Sequence, residues 1–176
     1  DQKQTHQSLR SNMIEEAYEA VEAIDDRSPE RLKDELGDVL LQVIFHAQIS
    51  AEQNEFTIQD VIDNLARKLI RRHTHIFGQD SATNVQDALN TWQNNKRKEK
   101  GQKSVADSVE DIPKSFPALS KAFKVQKKAA KAGFDWEKAE DTLVKIKEEV
   151  AEVDTARNTT ALNLEMEAGD LLFAVV

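Results

Sequence analysis

The sequence predicts an all-α protein made of tandem helical bundles of the four-helix type, the second incomplete within this chain. Three observations predict it. Apolar residues recur at three- and four-residue intervals while no period-two alternation is sustained, so the chain offers helix faces and no sheet. The composition, 39% hydrophobic and 32% charged with five Gly and three Pro in 176 residues, suits a helix-rich protein with a wet surface. An acidic helix pair followed by an apolar run occurs twice, once near each end of the chain.

The first helix is expected from about Ser8 to Asp25. Counted at about 100° per residue from Leu9, the residues Met13, Ala17, Ala20 and Ile24 form one apolar stripe; Glu16 falls inside it and Glu19 on its edge. After a turn at Asp25 to Ser28, a central helix is expected from Ser28 to about Gln53. A serine side chain caps free backbone N–H groups there, and Pro29 at the first helical position loses nothing. From Val39 to Ile49 this helix is apolar on nearly every side, which implies neighbours all round. Glu35 and Asp38 stand one turn apart where that section begins.

A short connection makes two long helices antiparallel neighbours, so Glu16 and Glu19 face Glu35 and Asp38 across the seam. Bare anions there repel, and desolvating each costs several kcal/mol, so either most are protonated or a cation sits among them. All-oxygen ligands select Mg²⁺, Mn²⁺ or Ca²⁺ over zinc. For a single such stretch, a solvated glutamate-rich face is the plain alternative. The chain, however, repeats the arrangement: Glu148, Glu149 and Glu152 precede Glu167 and Asp170. Fifteen residues separate Glu19 from Glu35 and fourteen separate Glu152 from Glu167. The repetition turns the reading toward a metal site. Both copies also place glycine mid-helix, at Gly37 and Gly169, where it costs about 1 kcal/mol relative to alanine. The expectation is that something approaches the backbone closely there.

Asn54 and Glu55 make the next turn. Thr57 with Asp60 resembles a capping box opening a third helix through Val61, Ile62, Leu65 and Leu69 to about His73, with a strongly basic end. RRHTHIFGQDSAT reads as a loop, and Asn84 with Asp87 starts a fourth helix that ends in KRKEKG. The expected organisation is therefore a first domain over 1–101, a polar linker over 102–114 and a second domain over 115–176. The second domain comprises a helix from about Pro117 to Ala132, a turn at Gly133 to Trp136, a helix from about Glu137 to Asp154 and a last helix from about Ala161. The opening on Asp1 and the uncapped LLFAVV at the other end lead to the expectation of further residues beyond both.

Several function classes are excluded. A net charge of −8 argues against a nucleic-acid surface, because a phosphate backbone is bound through excess Lys and Arg. The lack of cysteine removes disulfides, thiol catalysis and Cys-based zinc sites. No apolar run approaches the roughly 20 residues of a membrane span, and no signal-peptide pattern is present, so a cytoplasmic location is the default expectation. A ferritin-like di-iron bundle requires Glu-x-x-His, and no glutamate has histidine three residues on. His73 and His75 read as a loop pair rather than ligands, and Trp136 as a ring sealing a helix turn rather than a base-stacking platform.

EE-x-x-E followed by E-x-x-D resembles the signature of the MazG-type nucleoside triphosphate pyrophosphohydrolases, all-α enzymes related to the dimeric dUTPases and to phosphoribosyl-ATP pyrophosphatase. The resemblance extends to Asp1, Gln4, Thr5, His6, Ser8 and Leu9, to RRHTHIFG at Arg71 to Gly78, to DIPKSFPAL at Asp111 to Leu119 and to GFDW at Gly133 to Trp136. It covers essentially the whole chain, as two copies. It implies Mg²⁺-dependent hydrolysis of an NTP or dNTP to the monophosphate and pyrophosphate, in nucleotide-pool control or house-cleaning. It implies further that Glu16, Glu19, Glu35 and Asp38 hold the metal, with Glu149, Glu152, Glu167 and Asp170 as a second set. Glu15 and Glu148, which begin each motif, are candidates for orienting water. Lys68, Arg71 and Arg72 resemble the family's phosphate-contacting residues; as helix-end cations favoured by the macrodipole they also have a purely structural reading. Ala66 and Thr74 depart from the asparagine and proline common in related sequences. The apolar faces exceed what one hairpin covers, so a homodimer is expected. A non-catalytic regulatory or scaffolding bundle is the alternative.

Overall fold

Nine helices and no strand are found among the described residues of the computed structural model, which covers 4–78 and 82–176. They are α1 (Arg10–Asp25), α2 (Pro29–Glu52), α3 (Ile58–Arg72), α4 (Thr74–Phe77), α5 (Val85–Glu99), α6 (Val105–Glu110), α7 (Ala118–Ala130), α8 (Ala139–Ala156) and α9 (Ala161–Val175). Asp1 and the loop positions 79–81 lie outside the described residues. The chain divides into two units, Asp1–Trp92 and Gln93–Val176, with the division inside α5.

In the first unit the α1–α2 pair carries most of the packing. Ser28 caps α2 as expected, its Oγ accepting from the Arg31 N–H at 3.4 Å, with Pro29 at the first helical position. The turn before it closes through the Asp26 N–H to the Glu22 carbonyl at 2.9 Å, and Arg27 adopts φ +52°. The Arg31 side chain bridges back to Glu22 at 2.9 Å and to Asp26, clamping the two helices at this end. Ala20, Ala23 and Ala47 are buried, and such small side chains let helix axes approach closely. The N-terminal segment is held by Leu9, which is buried, and by His6. The His6 ring stacks on His46 with centroids 5.1 Å apart, and its Nε2 lies 3.2 Å from Oγ of the fully buried Ser50.

The capping box at Thr57 and Asp60 is present: the Asp60 N–H donates to Thr57 Oγ1 at 3.3 Å and the Thr57 N–H to Asp60 Oδ2 at 2.8 Å. After α3 the expected loop is partly helical, because the Gly78 N–H closes onto the Thr74 carbonyl at 2.8 Å and turns Thr74–Phe77 into one helical turn. The expectation that Val39 to Ile49 has neighbours on every side is not met within the chain. Leu40 is 56% exposed and Ile44 45%, since the main helix neighbours of α2 among the described elements are α1 and α3.

In the second unit α8 and α9 form another consecutive pair, joined at Arg157 to Thr160, where the Thr160 hydroxyl accepts from the Asn163 N–H at 3.2 Å. α7 packs on α9, with the Gln126 amide donating to the Phe173 carbonyl at 2.5 Å. The polar stretch 102–114 holds a helix of its own, α6, opened by a Ser104–Asp107 capping box. Buried Ile112 anchors it, and Lys100 pairs with Asp111 at 2.6 Å. A local capping signal outweighed the polar composition there.

Candidate metal centres

The α1–α2 hairpin brings Glu16, Glu35 and Asp38 together. One carboxylate oxygen from each lies within 4.8 Å of the others, with Glu16 and Glu35 half-buried and Asp38 exposed. Glu19 is exposed and stands beside Glu35. Burial, and then the neighbouring Asp38 and Glu19, push the Glu16 carboxyl above its usual range; burial and then Glu35 do the same to Glu19. Both shifts come first from burial and then from the carboxylates gathered around each group. Gln42, one turn beyond Asp38 and buried, turns its amide toward Glu16 Oε1 at 3.5 Å, while its own Oε1 has no hydrogen-bond partner.

The α8–α9 hairpin repeats the grouping with Glu149, Glu167 and Asp170, again with ligand oxygens within 4.8 Å. Here the first glutamate is buried, only 5% exposed, and its Oε2 has no hydrogen-bond partner. Its Oε1 is paired with Lys145 Nζ at 2.7 Å, and the same ammonium reaches Glu148 at 3.1 Å. Hydrogen bonds to Glu149 and then Glu148 raise the Lys145 pKa, so this cation stays charged. Burial, then Glu149, raise the Glu152 carboxyl, with Lys145 pulling the other way.

The two centres thus share their carboxylates and differ in what surrounds them. Four residues before Glu149 the chain has Lys145, where the first copy has Asn12 before Glu16; four residues after Asp170 it has Ala174, where the first copy has Gln42. The local signal for Gln42 was a lone polar residue inside an apolar run, and for Lys145 its i,i+4 spacing from Glu149.

Both donor sets fit a hard divalent cation. The ligands are all oxygen, three carboxylates converge in each, and a buried carboxylate oxygen in the second centre is left without a partner. Among the described residues no three-donor group includes a histidine; His73 Nδ1 lies 2.8 Å from the Leu69 carbonyl instead. Glu15 and Glu148 are exposed on α1 and α8, each one residue before the buried-side glutamate. Lys68, Arg71 and Arg72 occupy the C-terminal end of α3, with the Arg72 guanidinium 5.6 Å from the Trp92 ring centroid.

Two expectations are corrected. Nothing described approaches the mid-helix glycines: a Cβ built on Gly37 or Gly169 meets no atom within 4 Å. The helices turn these positions outward, beside the carboxylates, so the space they leave is open. Trp136 does not seal its turn either. It is 56% exposed and lines a cavity beside the second centre.

A family model described as the MazG nucleotide pyrophosphohydrolase domain matches residues 4–77. The chain is 47% identical over 176 residues to the nucleoside triphosphate pyrophosphohydrolase/pyrophosphatase MazG of Thermotoga maritima, covering 100% of this chain and 66% of that protein. It is 39% identical over 179 residues to the nucleoside triphosphate pyrophosphohydrolase of Escherichia coli strain K12, covering 100% of this chain and 68% of that protein. With the Mycobacterium tuberculosis protein of the same name the identity is 45% over 135 residues, 76% of this chain and 40% of the relative. The chain spans about two thirds of the length of the first two relatives.

Proposed function

Because this chain belongs to the MazG family of nucleoside triphosphate pyrophosphohydrolases, we propose that its carboxylate centres bind Mg²⁺ and direct hydrolysis of an NTP or dNTP to the monophosphate and pyrophosphate. The observation that carries this reading is the convergence of three carboxylates in each of two helix hairpins, within 4.8 Å. Mg²⁺, or Mn²⁺ in its place, would be held by Glu16, Glu35 and Asp38 with Glu19 beside them, and by Glu149, Glu167 and Asp170 with Glu152.

When bound, the ion supplies charge neutralisation for the phosphates and acidifies water. The chain's own groups do the rest. The carboxylates fix where the triphosphate lies, and Glu148 or Glu15, one residue from a ligand, orients the attacking water and takes its proton. The water oxygen bonds to the α-phosphorus as the bond to the bridging α–β oxygen breaks, and pyrophosphate leaves with that oxygen. Lys145 adds positive charge at the edge of the second centre, and Lys68, Arg71 and Arg72 offer cations for the phosphates in the first. The second centre is the working one in the intact protein: it has the buried, half-unpartnered Glu149, an adjacent cation and an adjoining cavity.

We propose further that the protein is a cytoplasmic homodimer serving nucleotide-pool control. The exposed apolar residues of α2 support the dimer, and no described helix is long and apolar enough to cross a membrane. The test is product analysis with several NTPs and dNTPs plus Mg²⁺. Stoichiometric pyrophosphate and monophosphate are expected; release of inorganic phosphate, or no turnover with retained metal binding, would replace this reading with a phosphatase or a scaffold.

A further inference from the structure

Gln42 is the one polar side chain in the run 39–45, and it is buried, only 5% exposed. It stands one turn beyond Asp38 on α2 and turns its Nε2 toward Glu16 Oε1 across the seam at 3.5 Å, the long end of hydrogen-bond distances. His46 and Ser50 continue the same i,i+4 row, and both are tied to the N-terminal segment. His46 Nδ1 lies 2.7 Å from His6 Nδ1, and Ser50 Oγ lies 3.2 Å from His6 Nε2. Within this row Gln42 alone keeps a buried polar atom, Oε1, without a hydrogen-bond partner. A half-satisfied buried amide costs stability, and an apolar side chain of the same length would not. Packing therefore gives no reason for glutamine at this position, whereas the carboxylate it faces does.

The second hairpin supplies an independent comparison. There the buried Glu149 is held by the Lys145 ammonium at 2.7 Å, and the position matching Gln42 is Ala174. Each centre thus sets one nitrogen donor against its inward glutamate, from across the seam in the first and from the same helix in the second. The ammonium holds its carboxylate by offsetting the charge; the amide offsets none.

We propose that Gln42 is the positioning residue of the first centre: its amide fixes the Glu16 carboxylate, still fully charged, in the orientation that joins Glu35 and Asp38 around a divalent cation. The proposal rests on the reading of these carboxylates as cation ligands. An N–H donated to a carboxylate favours the ionised form, which is the form a cation needs. It also restrains rotation of the carboxylate, so the ligand set loses less freedom when the ion arrives.

The experiment measures Mn²⁺ binding to the full-length protein by electron paramagnetic resonance, with Glu149→Gln and Asp170→Asn introduced to silence the second centre. Gln42→Met is compared in that background, because methionine keeps the length of the side chain and removes both the N–H and the oxygen. The Kd for Mn²⁺ is expected to weaken at least roughly tenfold, as on removal of other partners that orient metal ligands. The melting temperature in EDTA should be unchanged or higher, since a half-satisfied amide has gone. The side-chain amide signal of Gln42, identified in ¹H–¹⁵N spectra by its disappearance in Gln42→Met, should shift with Mg²⁺ and stay still in Asp38→Asn. An unchanged Kd overturns the proposal, as does a weaker Kd accompanied by a lower melting temperature in EDTA, which would make Gln42 a packing residue. Mn²⁺ binding by the parent protein beside a neutral Gln42→Met defeats the positioning role and leaves the metal reading standing. A parent protein with no affinity for Mn²⁺ defeats the metal reading and the positioning role with it. If Gln42→Met fails to fold in a thermal melt, Gln42→Leu takes its place with the same expected loss.

Discussion

Asp38 and Asp170 close the two centres from α2 and α9, and both are exposed, so replacing either by asparagine removes one negative charge and leaves no cavity. In the full-length protein, Asp170→Asn is expected to abolish pyrophosphate release while Asp38→Asn mostly spares it. The reverse pattern in a pyrophosphate assay would move the working site to the first hairpin. Gly37 offers a second measurement at this scale. With open space around a Cβ, Gly37→Ala should gain about 1 kcal/mol from helix propensity, read as a higher urea midpoint. A gain in stability with a fall in activity would show that the position is kept open for something outside the chain. The carboxylates themselves were legible from spacing, because Glu16 interrupts an apolar stripe and Glu35 with Asp38 precedes an apolar run. Lys145 was legible in principle from its i,i+4 spacing to Glu149; Gln42 and the exposure of Trp136 were not, since each depends on which groups a side chain meets beyond its own helix.

At the scale of the helix pair, each seam gathers negative charge, which ties its stability to pH and, on the function proposed above, to metal. The carboxyls of Glu16, Glu19 and Glu152 titrate above their usual range in the folded chain. A group whose folded pKa is raised contributes stability that is fully present below its unfolded value and is lost as pH rises through the folded one. In EDTA, these three carboxyls should therefore lower the melting temperature as pH climbs through and above the ordinary carboxylate range near 4.5, against the opposite slope of Asp60, Asp87, Asp107 and Asp111, whose carboxyls are held low by hydrogen bonds. Saturating Mg²⁺ should restore the loss at neutral pH, by about 2.7 kcal/mol at 100 times the dissociation constant. Identical melts in EDTA and excess Mg²⁺ would show seams stabilised by protons or water alone. Helix starts were legible where Ser28 and Thr57 advertise caps. α4 and α6 were missed as helices because they are single-turn or two-turn elements without an apolar period long enough to detect.

For the whole molecule, the apolar content of α2 outruns its partners. Leu36, Leu40, Leu41 and Ile44 are all more than 40% exposed, whereas the buried apolar set of the first unit is small among the described residues: Leu9 and three alanines. Covering such a stripe is what a twofold interface does, because the same patch meets itself. Sedimentation equilibrium of the full-length protein at micromolar concentration should give a dimer mass, and a Leu40→Glu variant should shift it toward the monomer; a compact wild-type monomer would remove the dimer from the account. The all-α class was legible from periodicity alone. Burial was not, because a sequence shows that a helix face is apolar without showing whether its own chain supplies the cover.

Each carboxylate hairpin is made of consecutive helices with only a short connection between them, so the acidic set from Glu16 to Asp38 occupies one uninterrupted stretch. Contacts this local form quickly and need no distant segment to arrive. During synthesis from the N-terminus, the first centre is complete before the basic end of α3 has been translated, and the second is assembled again from its own neighbouring helices. The order of translation therefore places the first carboxylate group ahead of the α3 cations: the ion site proposed there is complete in sequence before Lys68, Arg71 and Arg72 are added.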